Sequence, residues 1–389
     1  MITTFSPRSQ QAVPLFLIPV MAIGVLKATG LTTLAGLDLT ILSVLLAVGA
    51  ALIRPAPGLS LRLVLVTPWF AFLLVSILGV LIATPSAWSD RKAQSFFLIT
   101  VPVCFALLLM IGNSANCRFL FRAWIASGTL LSVIALLTDN SETVSGRESI
   151  NGNTLGLSYM AGMAAVLAVF GWSDRWLSAG VALPILGLNV YTMVVVGSRG
   201  PLVAAAVAFL YWILASKDRL KRVLTVVAVV TIAAVPAWIL APEPSKNRLQ
   251  WSDPFRGQLR DAAAETWLNN PFLGVGFGGY VNHNPWQFQY PHNIFLEVAS
   301  ELGLPGIAAL TAILVTSAIR VWRYWRYPEA RALGAVALWW LTAHQFSSQI
   351  SSRWLWLALL PCMLIPALVA DSPEGGTRAN DDRKHNGAG

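Results

Sequence analysis

The chain has 389 residues, of which 56% are hydrophobic and only 12% charged, and its mean hydropathy is +0.64. An ordinary soluble domain carries roughly a quarter charged residues, so this composition excludes a soluble enzyme or a soluble cofactor domain. The net charge of +9, from 27 basic and 18 acidic residues, would suit a nucleic-acid partner, but in a membrane chain it asks instead which side of the bilayer the charges occupy. Cys104, Cys117 and Cys362 offer no disulfide framework and no metal-ligand spacing.

A membrane-spanning helix needs ~20 mostly apolar residues, and the sequence offers about twelve such stretches. In chain order they are 12–27, 37–53, 63–83, 94–112, 119–138, 154–171, 177–196, 201–215, 223–241, 292–319, 332–346 and 354–370. Pro19, Pro68, Pro102, Pro184 and Pro236 fall inside them, which membrane helices tolerate because neighbours re-satisfy the freed carbonyls. The fold class predicted is therefore all-α, a polytopic membrane protein.

With the N-terminus inside, the inner segments hold about 17 of the 27 basic residues, as the positive-inside rule requires. Both termini are then cytoplasmic, and the inner face carries about +10 against about −1 outside. The first apolar run lacks a small-residue cleavage site and is followed by more spans, so it reads as a span rather than a signal peptide. The expected divisions are 1–241 with nine spans, an outer loop over 242–291, three further spans over 292–370, and a disordered cytoplasmic tail over 371–389.

The outer loop is long enough to need structure of its own. Phe255, Leu259, Ala262, Ala263, Thr266 and Trp267 recur on one helical face. Asp253 can cap that helix, Pro254 opens it, and Asn269 to Pro271 stop it. Gly274, Gly276, Gly278 and Gly279 follow a helix rather than a strand, so they are turns that permit close approach and not a dinucleotide fingerprint.

Three places combine residues with chemistry. Arg199 lies in Gly197-Ser198-Arg199-Gly200-Pro201 between two spans; it is either an interfacial arginine reaching lipid phosphates or an anion clamp aided by the N–H groups of the following helix. Arg256 and Arg260, four apart on the loop helix, present two guanidinium groups on one face. Asp261 and Glu265 permit an ordinary salt-bridged surface there, whereas arginine suits bidentate phosphate recognition. Lys246, Arg248, Arg91 and Lys92 add positive charge on that side.

His292 follows Pro291 where the loop enters a span. In a first helical turn its imidazole would be held neutral and able to act as a general base; a structural histidine is the alternative. Glu297 and Glu301, inside the span, are expected to neutralise buried arginines. His283 is expected at the loop surface and His344 between helices. With no Asp-x-Asp pair outside the membrane and no zinc-ligand spacing among the four histidines, no metal cofactor is expected.

Taken in order, Ser198-Arg199-Gly200, then Arg256 with Ala263 and Pro271-Phe272-Leu273-Gly274-Val275-Gly276, then His292-Asn293-x-x-Leu296-Glu297 and Glu301-Leu302-Gly303 resemble the O-antigen ligase and polymerase family of bacterial envelope glycosyltransferases. The motifs cover residues 190–310. Arg260 stands where members often have Trp, so the pyrophosphate ligand is Arg256 or Arg260, and the spacing to Pro271 favours Arg256.

The resemblance implies a donor glycan on undecaprenyl pyrophosphate, transferred at the periplasmic face of the inner membrane to a sugar hydroxyl. Arg199 and Arg256 would stabilise the leaving pyrophosphate without metal, His292 would take the proton, and Asn293, Glu297 and Glu301 would support them. A ligase acting on lipid A-core is preferred over a polymerase joining lipid-linked repeats, with a protein-glycosylating relative a smaller possibility. A twelve-span transporter, the reading from another class, fits poorly because no long central cytoplasmic connection divides two halves.

Overall fold

The computed structural model describes residues 39–53, 55–137, 154–214, 254–347 and 349–370, the backbone of 33–34 and 37–38, and isolated helical positions between 220 and 239. Apart from a two-residue antiparallel bridge, Thr33–Leu34 with Leu37–Asp38, every regular element described is helical. The helices are α1 (Leu39–Ile53), α2 (Leu59–Leu65), α3 (Thr67–Ile82), α4 (Ala87–Gln94), α5 (Val101–Met110), α6 (Ser114–Leu137), α7 (Thr154–Ser173) and α8 (Ala179–Val196). They continue with α9 (Arg199–Leu214), α10 (Pro254–Asn269), α11 (Ile294–Arg323), α12 (Pro328–Ala343) and α13 (Arg353–Ala370).

Among the described residues six helical stretches are long and apolar enough to cross a membrane, and seven if α2 and α3, bent by 63°, form one span. Shorter apolar helices α1 and α9 add to these. The expected count of about twelve is not reached by this test: the stretch 12–27 lies outside the described residues, and so does 223–241 apart from isolated positions. The outer surface of the bundle is apolar, with Ile53, Leu81, Leu98 and Leu130 exposed, as suits lipid rather than water.

Two spans begin differently from the sequence expectation. The α2–α3 bend has a local cause: Pro68 has no N–H to give to the carbonyl of Val64, and the Thr67 hydroxyl donates to that carbonyl instead at 2.7 Å. The span expected from Gln94 starts at Ala87 and runs through a π-helical turn, Ser95–Thr100, to Met110. Its start is fixed by a reciprocal cap, in which Ser86 Oγ accepts from the Ser89 N–H at 3.0 Å and Ser89 Oγ from the Ser86 N–H at 2.9 Å. That early start carries Lys92 into the bundle.

α7 forms the centre, packed by α6, α8, α9 and α12, while α13 packs on α5, α11 and α12. At the end of the bundle opposite the α10 loop, Arg118 pairs with Glu329 at 2.5 Å and Arg331 with Asp174 at 2.7 Å. Arg62 and Arg320 there donate to backbone carbonyls, Arg62 to that of Leu108 at 2.8 Å and Arg320 to that of Leu65 at 2.8 Å. Four basic residues that the sequence assigns to the inner face thus serve as ties between helix ends.

The chain before α11 is held by a break within α11. Gly303 adopts φ 59°, ψ −155°, and Pro305 follows. Proline cannot bond the carbonyl four residues back, so Glu301 C=O is freed and accepts the Gly276 N–H at 2.9 Å. Ser300 C=O accepts that of Val275 at 2.9 Å, and Leu304 N–H donates to Pro271 C=O at 2.9 Å. The segment 271–276 is therefore stitched into the broken helix and takes up backbone groups that the break releases.

Candidate active site

α10 forms over Pro254–Asn269, opening at Pro254 as expected; the proposed cap Asp253 lies outside the described residues. Leu259, Ala263 and Thr266 are buried on the anticipated face, whereas Asp261 and Glu265 are exposed. Arg256 and Arg260 turn toward the protein. Arg256 Nη1 donates to the Phe346 carbonyl at 3.0 Å and Arg260 Nη2 to the Gln345 carbonyl at 2.7 Å. Both arginines therefore meet one short segment, the connection between α12 and α13.

The other motif residues meet the same connection. Gly200 lies so close to Phe346 that an added Cβ would stand 2.8 Å from Phe346 Cβ, and this sets Ser198 and Arg199 beside it. Arg199 opens α9 and is exposed, with Pro201 at the third helical position. Ile294 N–H donates to the His344 carbonyl at 3.2 Å, which ties the residue after His292-Asn293 to the end of α12. Tyr159, from the first turns of α7, donates to the Ser347 carbonyl at 2.6 Å.

His292 does not sit in the first turn of α11. Asn293 is the N-cap, its Oδ1 accepting from the Leu296 N–H at 3.0 Å, so His292 stands one residue outside with φ 55°. The ring is 8% exposed, 4.7 Å from the Tyr290 ring and 5.3 Å from the Phe288 ring. These two aromatics fix its orientation, and Asn293 supports it by ending the loop at a defined point. Burial raises the Tyr290 hydroxyl above its ordinary pKa, so it stays a neutral donor.

Glu297 and Glu301 do not neutralise arginines. Both pair with Lys92 of α4, Glu297 Oε1 at 2.5 Å and Glu301 Oε2 at 2.7 Å, with all three side chains fully buried. Glu297 Oε2 also accepts the Ile350 N–H at 3.1 Å, and Glu301 Oε2 the Gly278 N–H at 2.8 Å. Gly278 has φ 79°, and a side chain there would press on Ser89 at 2.7 Å. Lys92 is thereby removed from the pool of surface charge to which the sequence reading assigned it; Arg91 is exposed, and Lys246 and Arg248 lie outside the described residues. His283 is exposed, as expected, while His344 Nδ1 bonds its own helix at the Trp340 carbonyl, 2.8 Å away.

The wall of the candidate site is thus formed by the described residues of the segment 344–352, of which sequence reasoning singled out only His344. It carries no charge and no motif, and its polar run Gln345 to Ser352 is the one signal that set it apart from the apolar stretches on either side.

Comparison with known proteins bears on the same part of the chain. A family model described as O-antigen ligase matches residues 182–311, the stretch that holds Arg199, Arg256, Arg260 and His292. Over that stretch the chain is similar to the O-antigen ligase family. An O-antigen ligase of Pseudomonas aeruginosa is 24% identical over 314 residues, covering 76% of this chain and 77% of that protein. The apolar helices suit a membrane protein, and these two similarities fit a ligase- or polymerase-type role in lipopolysaccharide biosynthesis.

Proposed function

We propose that the protein transfers a glycan from undecaprenyl pyrophosphate to a sugar hydroxyl of lipid A-core at the periplasmic face of the inner membrane. The observation that carries this reading is the convergence of three separate motif segments, Gly200, Arg256 and the His292–Ile294 entry to α11, on the single connection between α12 and α13. The relative's printed name favours ligase over polymerase.

In this reading the acceptor hydroxyl oxygen attacks the anomeric carbon, and the bond from that carbon to the phosphate oxygen breaks. His292 takes the hydroxyl proton. Undecaprenyl pyrophosphate leaves with the bond's electrons, and Arg199 and Arg256 stabilise its growing negative charge. Arg260 sits one turn further along the same helix face as a second ligand. Displacement in one step inverts the anomeric centre. The guanidinium groups supply the charge that a metal would otherwise bring, so chelator is expected to leave transfer intact; activity lost with chelator and restored by a divalent ion would refute this.

The in-family readings separate on a gel of envelope lipopolysaccharide from a deletion strain. Ligase loss leaves bare core while long lipid-linked polymer accumulates. Core bearing a single repeat would instead establish the polymerase.

A further inference from the structure

Arg353 opens α13 at the end of the connection that walls the site. Its side chain is half-buried, and its Nε and Nη2 are buried without a hydrogen-bond partner among the described residues. Its guanidinium lies over the Trp354 ring at 5.1 Å, and Trp354 stacks in parallel on Trp340 at 5.5 Å. Trp340 in turn touches Tyr159 and His344, both of which contact the site connection or belong to it. The cation is thus held by an aromatic stack rather than by an acid.

The electrostatics of this position are adverse as it stands. A buried charge in a membrane protein is costly unless paired or facing water. The first turn of α13 holds no acid, and Glu297 and Glu301 are already engaged by Lys92. A helix N-terminus also presents unbonded N–H groups and positive potential, which favour an anion and disfavour a cation. Guanidinium and helix end therefore add to a positive field, and Nε with Nη2 form the fork that matches two phosphoryl oxygens.

We infer that Arg353 is a substrate-binding residue that takes a phosphoryl group of the lipid-linked diphosphate through Nε and Nη2. The inference rests on the proposed function for the identity of that substrate. A bulk phospholipid headgroup offers the same chemistry, and the test separates the two.

Full-length protein in phosphatidylcholine nanodiscs is titrated calorimetrically with inorganic pyrophosphate, as wild type, Arg353→Gln and Arg353→Lys. Wild type is expected to bind, Arg353→Gln to lose roughly tenfold or more in affinity, the scale of charged hydrogen bonds, and Arg353→Lys to retain part of it. Because an unpaired buried charge destabilises, the ligand-free Tm of Arg353→Gln is expected to equal or exceed that of wild type, which a structural arginine would not allow. No pyrophosphate binding by wild type, unchanged affinity in Arg353→Gln, or a lowered ligand-free Tm in that variant would overturn the inference. So would displacement of pyrophosphate by added phosphatidylglycerol, which would assign the position to bulk lipid. Arg353-dependent pyrophosphate binding without transfer from a lipid-linked glycan would remove the proposed function and leave this inference standing. Full transfer with unchanged donor KM in Arg353→Gln would do the reverse.

Discussion

His292 and Arg256 both stand at the α12–α13 connection, one held by aromatic rings and the other by the Phe346 carbonyl. If His292 takes the acceptor proton, His292→Ala lowers kcat by about 10²–10⁴, the usual worth of a positioned base, with protein level and membrane insertion retained; wild-type turnover would remove the assignment. Arg256→Ala is expected to cost about 10²–10³ in kcat, as for loss of one donor to a developing anion, and Arg260→Ala less, which steady-state assays on the two variants will rank. Lys92 has a different task. Removing it leaves two buried carboxylates without their partner, a loss of about 3–5 kcal/mol, so Lys92→Met should show a clearly lowered Tm. At this scale the sequence disclosed the facing of Arg256 and Arg260, because helical spacing alone sets it. It could not disclose the role of Lys92, whose carboxylates lie 205 and 209 residues away.

Among the elements, α11 shows how a break becomes a binding surface. Pro305 and Gly303 release carbonyls that segment 271–276 then takes up. Gly303→Ala would put a Cβ 2.5 Å from the Phe272 carbonyl oxygen and force a positive φ on alanine, a strain of about 1–3 kcal/mol. Faster limited proteolysis within 271–279 is the expected readout; an unchanged digestion pattern would show that the stitching does not depend on this glycine. The helices themselves were largely legible, since apolar length is a local property. Their ends were less so. α4 starts seven residues before the expected Gln94 because a serine pair caps it and because Lys92 finds buried acids, and His292 falls outside α11 because Asn293 is the better cap.

At the scale of the whole molecule, the proposed orientation places the α10 loop outside and the α7–α8 connection inside. Cys104, Cys117 and Cys362 are all buried, so single cysteines introduced at exposed positions report topology against low background. His283→Cys is expected to react with a membrane-impermeant maleimide in intact cells with a permeabilised outer membrane, and Arg175→Cys only after lysis. The opposite pattern would invert the protein and move the proposed site to the cytoplasm. Composition and apolar run length sufficed to establish a polytopic helical membrane protein, because lipid imposes the same length and polarity on every span regardless of what surrounds it. The order of Arg199, Arg256 and His292 along the chain pointed to the family for the same reason, being readable without knowing any contact. Which residues face one another was decided only by the tertiary structure. The part played by the neutral segment 344–352, the burial of Lys92 between two acids and the want of an acid beside Arg353 among the described residues all depend on groups far apart in sequence, and only packing determines which charges find a partner.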